Sequence, residues 1–224
     1  MQIAEIINEF KLNGSEKNLG GMKRFGINAL NGFGVPIPVL RKLSKKIGRN
    51  HELGLQLWET EIHEARLLAS MIAESEKVTK SQMNKWVKDF YSWDICDQVC
   101  MNLFRETKFA YEKAAEWASS KHEFIKRAGF VLMATLAVHS KELADEDFIK
   151  FFPLIKKGSI DERNFVKKAV NWAIRQIGKR NHVLNKKAIK LSEEILGLDS
   201  KSAKWIAKDA LKELNDPKIL KRIK

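Results

Sequence analysis

The run YSWDICDQVCMNLF, residues 91–104, places a tryptophan and two aspartates in an otherwise apolar stretch. On a helix, Trp93 and Asp97 stand four apart and share a face. Asp94 stands three before Asp97, so the two carboxylates sense each other. An indole one turn from a carboxylate suits a cation. Its π face takes flat or positive groups, and the carboxylate stabilises positive charge as it develops. One reaction with that need is loss of an N-alkylated purine from its sugar. The purine is already cationic and leaves without a proton donor. The sugar passes through an oxocarbenium ion that one carboxylate can stabilise and supply with water. The same residues admit a structural reading, in which Asp94 or Ser92 caps the helix, Asp97 pairs with an arginine and Trp93 fills the core.

Other polar residues form weaker patterns. Cys96 and Cys100 share the face of Val99 and Leu103 and read as buried thiols, not as a disulfide framework or zinc site. His63 and Glu64 lack the second histidine of an HExxH pattern, and the five histidines show no ligand spacing. No metal or cofactor is expected. His63 is expected to cap or pack at the start of a helix, and Arg66 to pair with a carboxylate or brace the fold. Gly32, Gly34 and Pro36 mark a tight turn into a helix, with amides that serve either the turn or a phosphate. Trp58, Trp86, Trp117 and Trp205 read as core or inter-repeat packing.

The elements that must hold these residues are helical. Apolar residues recur near every 3.6 positions in VLRKLSKKI (39–47) and ARLLASMIA (65–73), and FVLMATLAV (130–138) is apolar all round, as an interior helix would be. No alternating strand pattern occurs, so about a dozen helices joined by short loops are expected. The glycines and four prolines cluster in stretches such as NGSEKNLGG (13–21) and NGFGVPIP (31–38), read as boundaries. Phe124, Phe165 and Trp205 are each followed three residues later by a base, at Arg127, Lys168 and Lys208. The 41- and 40-residue intervals between those aromatics fit paired-helix repeats of the HEAT or armadillo kind.

Formal net charge is +13, distributed as +4 over residues 1–60, −2 over 61–150 and +11 over 151–224. A near-neutral middle between basic ends suits a polyanion such as nucleic acid, with the C-terminal lysines as candidate phosphate contacts. Nothing approaches a membrane span, and the N-terminal residues show no signal core, which makes a cytoplasmic setting the expectation.

Five segments, GVPIPVLR, LWETEIHEAR, YSWDICDQ, FIKRA and FVKKAVNWAIR, occur in this order. Together they resemble the DNA alkylation repair glycosylases built from HEAT-like repeats, the AlkD-like family, over roughly residues 22–179. The resemblance implies an all-α, right-handed superhelical solenoid with a concave basic groove, formed by residues 1–224 as one domain. It places the catalytic aspartate at Asp97, with Trp93 one turn before it, a backbone-holding base at Arg127 and a second cleft tryptophan at Trp172. Phe25, Lys167, Lys168, Lys204 and Lys208 are the expected DNA contacts. The implied activity is monofunctional hydrolysis of N3- and N7-alkylated purines in duplex DNA by a monomer, with the backbone contacted and no base flipped into a deep pocket. Phe25 stands where the family often has tyrosine, and Tyr91-Ser92 precede Trp93 in place of an adjacent tryptophan. Two other classes remain open: a non-catalytic protein binding damaged or branched DNA, and a protein-binding helical solenoid.

Overall fold

Helical periodicity without strand patterning is realised as an all-helical chain. The computed structural model describes residues 1–29 and 31–223 and holds fifteen α-helices, two 3-10 turns and no strand among them. None of these helices is long and apolar enough to cross a membrane. The chain divides into two compact units, residues 1–108 and 109–224.

The first unit contains α1 (Ile3–Asn13), α2 (Glu16–Arg24), α3 (Ile37–Ile47), α4 (His51–Glu59), α5 (His63–Ile72), α6 (Lys80–Lys88) and α7 (Trp93–Asn102). Helix α5 is its centre: residues 63–70 are buried, and α3, α4 and α7 pack against it. Trp58 of α4 and Trp86 of α6 are buried as expected and stack with centroids 4.0 Å apart and planes within 2°. The stretch 13–21 departs from its reading as a boundary. Only residues 14 and 15 interrupt the helix, with Ser15 capping the Asn18 amide, and α2 then runs through both Gly20 and Gly21.

The second unit contains α8 (Ala110–Ala118), α9 (Glu123–His139), α10 (Asp145–Ile149), α11 (Phe152–Gly158), α12 (Asn164–Gly178), α13 (His182–Leu196), α14 (Lys201–Leu214) and α15 (Pro217–Leu220). Here the internal echo becomes register. Helices α9, α12 and α14 pack in sequence, and the Phe124 and Phe165 rings lie 5.7 Å apart. Hydrogen bonds join residues one repeat apart: Arg127 to the Phe165 carbonyl at 2.5 Å, and Asn171 to Asp209 at 2.7 Å. Of the two readings given for Trp205, core or inter-repeat packing, the structure takes the second. Trp205 is 41% exposed, and Lys167 of the neighbouring repeat lies 5.1 Å over its ring. An amphipathic aromatic can satisfy the helical period at a repeat edge without being covered.

Close helix approach in this unit depends on Gly129. A β-carbon there would lie 2.3 Å from the Ala118 amide nitrogen and 2.9 Å from the Ala114 carbonyl oxygen, both backbone atoms that cannot swing aside. Gly129→Ala is therefore expected to destabilise the protein by about 2 kcal/mol through overpacking, read as a lower urea midpoint with an unchanged m-value.

Candidate active site

Helix α7 buries Ile95, Cys96, Val99 and Cys100, the face expected from sequence, with Leu103 buried just beyond its end. That choice leaves Trp93, Asp94, Asp97 and Gln98 partly open on the other side. Trp93 does not fill the core. Its Nε1 donates to the Phe25 carbonyl at 2.9 Å, and Phe25 is 73% exposed. Two residues 68 apart in sequence are thus joined. Asp97 lies one turn beyond Trp93, at the spacing that puts both on one side of the helix.

Asp94 does not act as a simple helix cap. Ser92 occupies the N-cap position, but its hydroxyl donates to Asp94 Oδ1 and accepts nothing from the helix amides. The other oxygen, Oδ2, lies 2.9 Å from His63 Nε2, and His63 Nδ1 lies 2.8 Å from the Tyr91 hydroxyl. Because an ionised carboxylate only accepts, Nε2 carries the hydrogen. In the neutral ring, Nδ1 then accepts from Tyr91. His63 is fully buried as the first residue of α5, so the relay ties α5 to the start of α7. Burial also pushes the Tyr91 hydroxyl far above its usual range, keeping it protonated.

Burial alone would raise the Asp94 carboxyl, but bonds from His63, Ser92 and the Ile95 amide outweigh it, and the group ionises below its ordinary value of 3.8. A depressed folded-state pKa gives stability that is present above the unfolded value and lost as pH falls through the folded one. Unfolding midpoints of wild type and Asp94→Asn should therefore differ above pH 3.8 and converge as the solution is acidified below it.

Glu64 resolves the open reading of the glycine turn. Its buried carboxylate accepts from the amides of Phe33 (3.0 Å), Gly34 (2.7 Å) and Val35 (3.2 Å). Gly34 has φ +74°, a conformation that favours glycine and turns these amides inward. The turn's amides serve an internal anion and not a phosphate. Arg66 meets both expectations: it pairs with the Glu61 carboxylate at 3.8 Å, and it is buried with its guanidinium 5.2 Å over Trp58 and donates to the Trp58 and Asp89 carbonyls.

Between α2 and the starts of α5 and α7 lies a cavity of about 880 Å³. Ile27, Leu67 and Trp93 contribute apolar walls, and His63 and Asp94 form a polar side. Asp97 does not line it.

The other expected site residues belong to the second unit. Trp172 on α12 is half-buried, and the Gln176 amide oxygen, in the orientation that satisfies both ends of that amide, accepts from Trp172 Nε1 at 3.1 Å. Arg127 is only 5% exposed and holds the Phe165 carbonyl in the first turn of α12. Lys168 and Lys208 are exposed, with no ion-pair partner among the described residues. Lys204 pairs with Asp199 at 3.4 Å, and Lys167 lies over Trp205. Of the wider set of C-terminal bases, Lys156 pairs with Glu194 at 2.7 Å and Lys179 with Glu213 at 2.5 Å.

Sequence reasoning missed the His63–Asp94 link and the role of Glu64. Both join residues about 30 apart, and the available signal was an adjacent His-Glu pair opening a largely apolar helix.

The model of the family described as DNA alkylation repair enzymes matches residues 6–214. A solved structure from a family described as related to the HEAT-like repeat DNA glycosylases, with affinity for branched DNA structures, is similar at 21% identity. The match covers 93% of this chain and 94% of that one, with a TM-score of 0.78, and shows a HEAT-like repeat fold. A designed armadillo repeat protein in complex with a Lys-Arg repeat peptide is similar at 17% identity over 80% of this chain and 92% of that one, with a TM-score of 0.43. No curated protein matches in sequence.

Proposed function

The chain belongs to the DNA alkylation repair enzyme family, and from that premise we propose that it is a monofunctional DNA glycosylase acting on cationic N3- and N7-alkylated purines in duplex DNA. The observation that carries this reading is the open face at the start of α7. An indole is held by the backbone carbonyl of the exposed Phe25, and Asp97 follows one turn on.

In the proposed reaction the C1′–N bond breaks and its electron pair leaves with the base, neutralising the alkylpurine cation. Asp97 stabilises the positive charge left on the sugar and orients a water molecule. That water's oxygen bonds to C1′, and its proton passes to the carboxylate or to solvent. Trp93 flanks the sugar beside Asp97, with Phe25 adding aromatic surface, and in the second unit Trp172 contacts the DNA backbone. Lys167, Lys168, Lys204 and Lys208 contact phosphates. Arg127 acts as a positioning base, because it holds the turn of α12 from which Lys167 and Lys168 project. The step employs no amine to form a Schiff base at C1′ and eliminate the phosphate, so the product is an abasic site in an intact strand. Neutral purines are poor substrates, since one carboxylate supplies no leaving-group activation.

The test is release of 7-methylguanine and 3-methyladenine from methylated duplex DNA. Release above the spontaneous rate, leaving unbroken strands, is the expected result. No release by folded protein overturns the reading. If folded protein then holds a four-way junction more tightly than duplex, the non-catalytic branched-DNA reading takes its place.

A further inference from the structure

Two bases of the C-terminal excess, Lys187 and Lys190 on α13, stand away from the face proposed for phosphate. Helices α11 and α13 pack on the side of α12 turned from Lys168 and Trp172. A β-carbon on Gly158 of α11 would lie 3.2 Å from the Val170 side chain of α12, and one on Gly178 of α12 would lie 2.9 Å from the Ala188 side chain of α13. Val170 stands two residues from both Lys168 and Trp172, about 200° around the helix. The outer surfaces of α11 and α13 are thus separated by α12 itself from a ligand lying on Lys168 and Trp172.

Between α11 and α13 lies a groove of about 350 Å³, inside the ~300–1,000 Å³ range of ligand sites. Phe152, Pro153 and Leu191 give it apolar surface. Lys187 and Lys190 also line it, both exposed and in no ion pair among the described residues. Lys156 on the same rim is already held by Glu194 at 2.7 Å. Two uncommitted cations beside apolar surface suit a ligand that is anionic and apolar at neighbouring points. A duplex backbone offers phosphates but no apolar group that projects into a groove, whereas an acidic peptide offers both. We infer that the groove binds an acidic segment of a partner protein. One aromatic or large aliphatic side chain of that segment sits against Phe152 and Pro153, and its flanking carboxylates meet Lys187 and Lys190. This goes beyond the glycosylase reading and does not depend on it.

The test is isothermal titration at low salt with the end-blocked peptide Asp-Asp-Phe-Asp-Asp and its serine counterpart, Asp-Asp-Ser-Asp-Asp. The phenylalanine peptide should bind, and the serine peptide should bind about tenfold more weakly or not at all. Lys187→Glu and Lys190→Glu should each weaken the phenylalanine peptide by about tenfold. Lys186→Glu makes the same charge change at an exposed position of α13 outside the groove, and should weaken it by less than about threefold. Glu194→Gln releases Lys156 and removes a like charge, so it should tighten binding by about twofold to fivefold. The variants should melt as wild type does and hold undamaged duplex within about threefold of it. Equal binding of the two peptides, or equal losses in Lys186→Glu and Lys190→Glu, would reduce the effect to bulk charge and overturn the groove. Absence of binding by folded wild type overturns it as well. If duplex displaces the peptide and Lys190→Glu weakens duplex binding by about tenfold, the occupant is nucleic acid and the peptide proposal falls.

Discussion

Asp97→Asn should slow release of 7-methylguanine from methylated duplex by about 10²- to 10³-fold, with duplex affinity held within about twofold. The substitution keeps the size of the side chain and its place on α7 while removing the charge. A neutral amide still fills the space beside the sugar but no longer opposes the oxocarbenium ion. The loss should therefore fall on the single-turnover rate of base release and leave binding almost untouched. Phosphate contacts, not Asp97, supply affinity for undamaged DNA, and removing a carboxylate from a polyanion's path does not weaken it. The measurement is single-turnover release beside equilibrium binding at fixed salt. Equal release by wild type and Asp97→Asn would reject Asp97 as the stabilising group. Loss of binding together with release would assign it to structure.

Glu64→Ala should be the most damaging of these substitutions to stability, at about 3 kcal/mol, or roughly 10 °C in melting temperature. The carboxylate is fully buried, and its Oε1 collects three backbone amides from residues 33–35. Truncation leaves those donors buried without an acceptor and opens a cavity at the helix start. Glu64→Gln, which keeps one acceptor oxygen, should fall between wild type and alanine. Thermal and urea unfolding of the three proteins checks the order. A loss below about 1 kcal/mol for alanine would mean that water or a shifted backbone replaces the carboxylate.

Local pattern and tertiary context divided the molecule between them in a physically clear way. The repeat was legible at Phe124, Phe165 and Trp205 because stacked helical repeats renew the same contacts at the repeat's own sequence period. Trp205 shows the limit of that signal, because periodicity places a residue on a helix face but not the neighbour that covers it. The inward face of α7 was legible because Cys96, Val99 and Cys100 fit one helical stripe. Gly20 and Gly21 were misleading, since propensity amounts to roughly 1 kcal/mol per glycine and flanking helical contacts outweigh it.

At the candidate site, Trp93 and Asp97 could be paired from sequence because four residues on a helix fix their relation whatever lies around them. The sequence by itself determined the helical class, the repeat spacing, the basic charge and that local pair. Only the tertiary structure decided that Asp94 belongs to His63 and Tyr91, that Glu64 fills the glycine turn, and that Phe25 stands beside Trp93. Those relations span about 30 to 68 residues. They depend on which helix faces the core brings together, and a one-dimensional pattern does not contain that information.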